Sequence, residues 1–158
     1  MKATVQWKEN MTFIGTPDSG FAVQMDADAS FGGTNQGIRP MEMVALALAS
    51  CTGMDVISIL RKKRQQVTHF EVRVNAPRSA EHPKVFTHAQ LTYLVTGTNV
   101  GEAAVLRAIE LSMTKYCPVQ VMLSQTFPME LHYEIYEDEQ DARPRLVSQG
   151  IWQEFPTL

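Results

Sequence analysis

Cysteine, ligand-spaced histidine and strong charge of either sign are all scarce in this chain. Two cysteines, Cys51 and Cys117, in 158 residues are too few for a disulfide scaffold. A chain of this length buries enough apolar surface to fold without one. No Cys-x-x-Cys occurs, and His69, His82, His88 and His132 stand without ligand spacing, so no zinc site and no cofactor are expected. The formal charge of −3 gives no field that would gather nucleic acid or an anionic membrane surface. The longest apolar run, Met43 to Ala49, falls well short of the roughly 20 residues that a bilayer span takes. The opening residues, Met1 to Trp7, lack the apolar core of a secretory signal. A cytoplasmic protein is therefore expected, with no membrane and no nucleic-acid partner. Both thiols would be reduced there, and a disulfide between them transient or regulatory.

What is present reads as one globular α+β domain, with 44% hydrophobic and 20% charged residues. Thr4, Val5 and Trp7, then Phe13 and Ile14, then Phe21, Val23 and Met25 predict an N-terminal antiparallel meander. Glu9-Asn10 and Pro17-Asp18-Ser19-Gly20 break it into strands. A glycine-rich loop, Phe31 to Gly37, leads to Pro40, which fits the first position of a helix because its missing N–H costs nothing there. That helix is predicted to run to Arg64 or Gln66, apolar on almost every face until its basic last turn. Such a helix belongs in the middle of something. The Arg61-Lys62-Lys63-Arg64 run suits the negative end of the helix dipole and reads as a solvated end rather than a nucleic-acid patch. Strands are predicted at Val67–Ala76, Val85–Thr96 and Met129–Tyr136, and a second helix at Asn99–Tyr116. The tail from residue 139 to 158 is polar and then apolar at Ile151, Trp152, Phe155 and Pro156, which suggests docking against a body formed by residues 1–138.

The two thiols are the best candidates for chemistry. Cys51 lies mid-helix, with Val44, Ala47, Leu48, Met54, Asp55 and Ser58 one or two turns away on its face. A free cysteine on an apolar helix face is often no more than a small hydrophobe. Here the stripe continues through Asp55, Ser58 and Lys62, and packing alone does not place a carboxylate beside a thiol. That carboxylate disfavours a thiolate, so a reactive Cys51 needs a cation. Cys117 precedes Pro118, which ends the second helix near Tyr116 and opens a short new one. As its N-cap, Cys117 would meet unpaired N–H groups and the positive end of a helix dipole, and its pKa is expected to be lowered, with help from Lys115. A cysteine that merely caps weakly is the alternative. A buried helical thiol and one at a helix start suggest a peroxidatic and resolving pair.

Gly37-Ile38-Arg39-Pro40-Met41-Glu42-Met43-Val44, Ala49-Ser50-Cys51-Thr52-Gly53-Met54-Asp55-Val56 and Tyr116-Cys117-Pro118-Val119 resemble the OsmC/Ohr family of osmotically inducible and organic-hydroperoxide-resistance proteins. The order of elements matches as well, from Met1 to about Asp138. The resemblance implies an intertwined homodimer with the long helices packed at its centre and the N-terminal strands crossing between subunits. It also implies reduction of a small organic hydroperoxide, with Cys51 peroxidatic, Cys117 resolving and a dithiol of lipoyl type as reductant. The family's peroxidases carry a glutamate directly after the helix-starting proline and an arginine in the early strands. Here the glutamate is one place later, at Glu42, and no arginine precedes Arg39, as in a less-characterised branch. Arg39 is therefore expected to serve as the cation for Cys51, with Glu42 beside it and Leu48, Met54 and Asp55 contacting substrate. The alternatives to an enzyme are a protein that holds an apolar ligand around Cys51 and a redox sensor whose disulfide switches without turnover.

A helix apolar all round cannot be covered by one small sheet, so an obligate dimer burying above about 2,000 Å² is expected. Sedimentation on dilution to nanomolar concentration should show a dimer until the fold is lost; a stable folded monomer would contradict this.

Overall fold

The computed structural model describes residues 1–139 and 142–152, so Phe155 and Pro156 lie outside the described residues. The protein is α+β, built from two sheets and three α-helices in two compact units, one from Met1 to Leu46 and the other from Ala47 onward.

The N-terminal unit is the predicted meander. β1 (Ala3–Glu9), β2 (Thr12–Pro17) and β3 (Val23–Met25) pair antiparallel in that order. Asn10 takes the left-handed backbone that the β1–β2 turn needs. The loop that follows is fastened by Asp26, whose buried carboxylate accepts hydrogen bonds from the backbone N–H groups of Ala27, Thr34 and Gln36 and from the Thr34 hydroxyl. These bonds, the Thr34 hydroxyl foremost, hold the Asp26 carboxyl well below the usual carboxylate range. Gly33 passes so close to Ala27 that a Cβ would lie 1.9 Å from its carbonyl oxygen, and only glycine fits there. Much of the unit's apolar surface stays uncovered: Trp7 is 61% and Phe21 81% exposed.

Helix α1 (Pro40–Lys62) begins as predicted, with proline at its first position. Glu42, at the third, accepts the Arg39 backbone N–H at 2.8 Å and so supplies the carboxylate half of a capping box. The helix stops two to four residues short of its expected end. Arg64 turns left-handed at φ 57, Gln65 N–H bonds Leu60 O and Arg64 N–H bonds Arg61 O. That is a Schellman closure made with arginine in place of glycine.

In the second unit β4 (Gln66–Asn75), β5 (Ala89–Thr98), β6 (Met129–Glu137) and β7 (Arg145–Trp152) form one sheet in sequence order. β5 starts four residues later than predicted. Val85 and Thr87 bond instead to Ser79 and Pro77 of the preceding loop, which draws that stretch out of the ladder. β7 was not predicted as a strand: it lies in the tail and pairs antiparallel with β6. β5 and β6 are parallel and need a crossover. α2 (Glu102–Leu111), a π-helical turn (Ser112–Tyr116) and α3 (Pro118–Ser124) provide it.

Leu91, Tyr93 and Val95 of β5, Leu131 and Ile135 of β6 and Val105 and Ile109 of α2 make the core with Leu48, Val56 and Leu60 of α1. Gly53 lets α1 settle onto β4, since a Cβ there would stand 3.3 Å from Val72. Only this stripe of α1 is buried in the chain, rather than every face, and Met54 is 71% exposed. By length and composition alone α1, at mean hydropathy 1.9, is apolar enough to cross a membrane, which the longest uninterrupted apolar run did not reveal. From Leu48 on, its buried stripe is committed to the protein's own core.

Candidate active site

Cys51 sits half-buried on α1 and Cys117 is fully buried at the start of α3; both are free thiols. Far apart in sequence, they lie near enough for the Cys51 thiol to act on that of Cys117. Pro118 explains the placement of Cys117. It ends the π-helical turn and starts α3, leaving Cys117 extended at φ −80, ψ 100 as the N-cap, and Cys117 N–H bonds Ser112 O at 2.9 Å. Isolated π turns gather at functional sites, and this one leads directly into the thiol.

Close enough to Cys117 for its charge to act on Tyr93, a chain of hydroxyls joins three separate elements. Thr52 Oγ1 lies 2.7 Å from Tyr93 OH and 3.0 Å from Ser112 Oγ, and Ser112 Oγ donates to Asp55 Oδ2 at 3.0 Å. Each hydroxyl has one proton, so the direction is fixed once Ser112 donates to the carboxylate. Thr52 then donates to Ser112, and Tyr93 to Thr52. The network satisfies every hydroxyl it buries and points its dipoles at Asp55.

Burial pushes the Cys117 thiol up to about 12, and the hydrogen bond with Cys51 adds to the effect. The negative charge of Asp55 acts in the same direction. This corrects the expectation of a lowered value. The Gln120 backbone N–H approaches the sulfur and pulls the pKa down, as an N-cap position implies, but without closing a formal capping bond. Desolvation outweighs it. Lys115 gives no help, its ammonium lying over the Tyr116 ring at 5.5 Å. Burial likewise raises the Tyr93 hydroxyl.

The other candidates fall in different places. Asp55 is half-buried and belongs to the hydroxyl chain. Leu48, 1% exposed, is committed to the core, while Met54 lies on the solvent side of α1. Arg39 and Glu42 belong to the N-terminal unit. The Arg39 guanidinium donates to Gly37 O at 2.8 Å and to Asn35 Oδ1, and stands 4.0 Å from Asp28 Oδ2. Among the described residues no group of three or more histidine, cysteine or acidic side chains could hold a metal. Sequence reasoning overlooked Tyr93, Ser112 and Gln120 and used Thr52 only as a motif letter. Only Gln120 left a trace, since Cys-x-x-Gln copies the spacing of a Ser/Thr-x-x-Glu/Gln capping box.

The model of the OsmC-like protein family matches residues 33–132, which contain both cysteines. This chain is an OsmC-like protein. It is 41% identical to the protein YhfA of Escherichia coli K12 over 135 residues, covering 85% of this chain and 98% of YhfA. A hypothetical protein of Aquifex aeolicus VF5, 28% identical, superposes with a TM-score of 0.76 over 87% of this chain and 97% of that one. An organic hydroperoxide resistance protein OsmC of Legionella pneumophila shares the fold at a TM-score of 0.61 and 12% identity, over 85% of this chain and 94% of its own. The OsmC-like fold thus brings Cys51 and Cys117 together in this chain.

A thiol whose pKa is raised on folding stabilises the protein fully below its unfolded value of 9.0 and loses that contribution as pH rises toward about 12. Urea denaturation should show the wild type losing stability relative to Cys117→Ala across this window. A wild-type advantage that grows with pH would contradict the burial of the protonated thiol.

Proposed function

We propose that this OsmC-like protein reduces organic hydroperoxides through thiol chemistry and protects against oxidative stress, with Cys51 as the attacking thiol and Cys117 as the resolving one. The proximity of the two thiols, brought together from α1 and the start of α3, carries the proposal. Similarity of fold to a protein named for organic hydroperoxide resistance supports it.

The Cys51 thiolate attacks the outer oxygen of the hydroperoxide. An S–O bond forms, the O–O bond breaks, and the alkoxide leaves and takes a solvent proton to become the alcohol. Cys51 is then a sulfenic acid. The Cys117 sulfur attacks the Cys51 sulfur, an S–S bond forms, and the hydroxyl departs with the Cys117 proton as water. A dithiol of lipoyl type returns both thiols and is itself oxidised to a disulfide. The division of roles follows from burial: Cys51 is half-exposed to incoming substrate, while Cys117 is sealed and protonated. A protonated resolving thiol carries the proton that the leaving hydroxyl needs.

Asp55, half-buried and bonded to Ser112, is assigned to the surroundings of the bound peroxide. The protein is assigned to the cytoplasm as an intertwined homodimer. The outer face of α1 supports the dimer, where Met54, Ile57, Ser58, Arg61 and Lys62 line an uncovered groove of 380 Å³. Trp7 and Phe21, exposed in the N-terminal unit, point the same way.

Consumption of cumene hydroperoxide with dihydrolipoamide as donor tests the proposal. The wild type should turn over, Cys51→Ser should fall to the uncatalysed rate, and Cys117→Ser should react once and stop. Turnover that survives in Cys51→Ser would overturn it. Reversible oxidation of the wild type without turnover would favour a redox sensor.

A further inference from the structure

Gln120 is 1% exposed, and both polar atoms of its side chain are buried without a hydrogen-bond partner among the described residues. The other buried polar side chains around the thiols, Thr52, Tyr93 and Ser112, are all paired. A leucine or methionine of similar size would fill the same space without stranding a donor and an acceptor, so the amide costs stability and asks for a reason.

Its position on α3 supplies one. Gln120 is three residues after the N-cap Cys117, the place from which a glutamine normally reaches back to bond the N-cap backbone N–H. Here that N–H is already given to Ser112 O across the π-helical turn, so the usual partner is taken. Helical side chains lean toward the helix N-terminus, which places the carboxamide at the Cys117 end of α3. The Gln120 backbone N–H approaches the Cys117 sulfur from the same side. The π turn therefore leaves a buried amide, unpaired among the described residues, on the helix that Cys117 caps.

A carboxamide presents an N–H donor and a carbonyl acceptor side by side. A hydroperoxide presents the complement: its terminal O–H donates, and the adjoining oxygen accepts. Resting on the hydroperoxide reading above, we propose that the Gln120 carboxamide is the hydroperoxide-binding group of the site. Its Oε1 accepts the hydrogen of the outer oxygen, and its Nε2–H donates to the inner one. As Cys51 sulfur bonds the outer oxygen and the O–O bond breaks, charge grows on the inner oxygen. A pre-placed donor in a dry site stabilises that charge until solvent delivers the proton that completes the alcohol.

The test uses the full-length protein and the variants Gln120→Leu and, should leucine not fold, Gln120→Met. Three quantities are compared: the single-turnover rate of Cys51 oxidation by cumene hydroperoxide, its rate with an aryl disulfide reagent, and the urea midpoint. Removing a donor to a developing oxyanion slows chemistry by about 100-fold or more. The peroxide rate should fall by about that factor, while the aryl disulfide rate holds and the midpoint stays level or rises. A peroxide rate equal to wild type overturns the assignment. With a raised midpoint the amide merely burdens the core; with a lowered one it holds a structural water. Equal slowing with both reagents, or failure of both variants to fold, also overturns it by showing a structural role. A wild type whose Cys51 is not oxidised by cumene hydroperoxide sinks the hydroperoxide reading itself, whereas equal rates in wild type and variant sink only the role of Gln120.

Discussion

Cys117 is removed entirely from water, and the rest of the site is arranged around that fact. Its N–H bonds Ser112 across the π-helical turn, and its thiol meets that of Cys51. Desolvation makes the charged form expensive, so Cys117 remains a thiol through the neutral range. A buried, protonated thiol facing a half-exposed one is an asymmetric pair. On the proposed reading the exposed partner meets the peroxide, and the sealed one resolves the product and brings its own proton.

A hydroxyl chain ties together the elements that carry this pair. Tyr93 lies at the centre of the sheet with no exposure, where an unpaired phenol would be costly, and Thr52 relieves it. Ser112 passes the bond on to Asp55. One carboxylate at the rim thus orients three buried hydroxyls drawn from α1, β5 and the π-helical turn. These bonds fasten the Cys51 helix to the turn that delivers Cys117, which is how packing and chemistry are joined here. Gln120 stands apart as the polar side chain that the fold leaves without an internal partner among the described residues.

What could be read from the sequence followed locality. Pro40 and Pro118 announced the starts of α1 and α3 because a proline's effect on its neighbours is local. Alternation found the cores of β4 and β5 for the same reason. The left-handed Arg64 was not legible, since arginine has no preference that signals a Schellman closure. β7 was hidden because it alternates weakly on a partly exposed edge and owes its pairing to β6. The pKa of Cys117 was misjudged because the helix dipole is visible in sequence and burial is not. The hydroxyl chain joins residues 41 and 60 positions apart, and no local pattern announces such a meeting.

The central claim is that Cys51 and Cys117 form one working pair. Treating the reduced protein with one equivalent of cumene hydroperoxide, blocking residual thiols and mapping peptides by mass spectrometry tests it most directly. The account predicts a single product in which Cys51 and Cys117 of the same chain are joined, with no blocked thiol remaining. Cys51 oxidised alone while Cys117 stays free, or linkages between chains only, would contradict it.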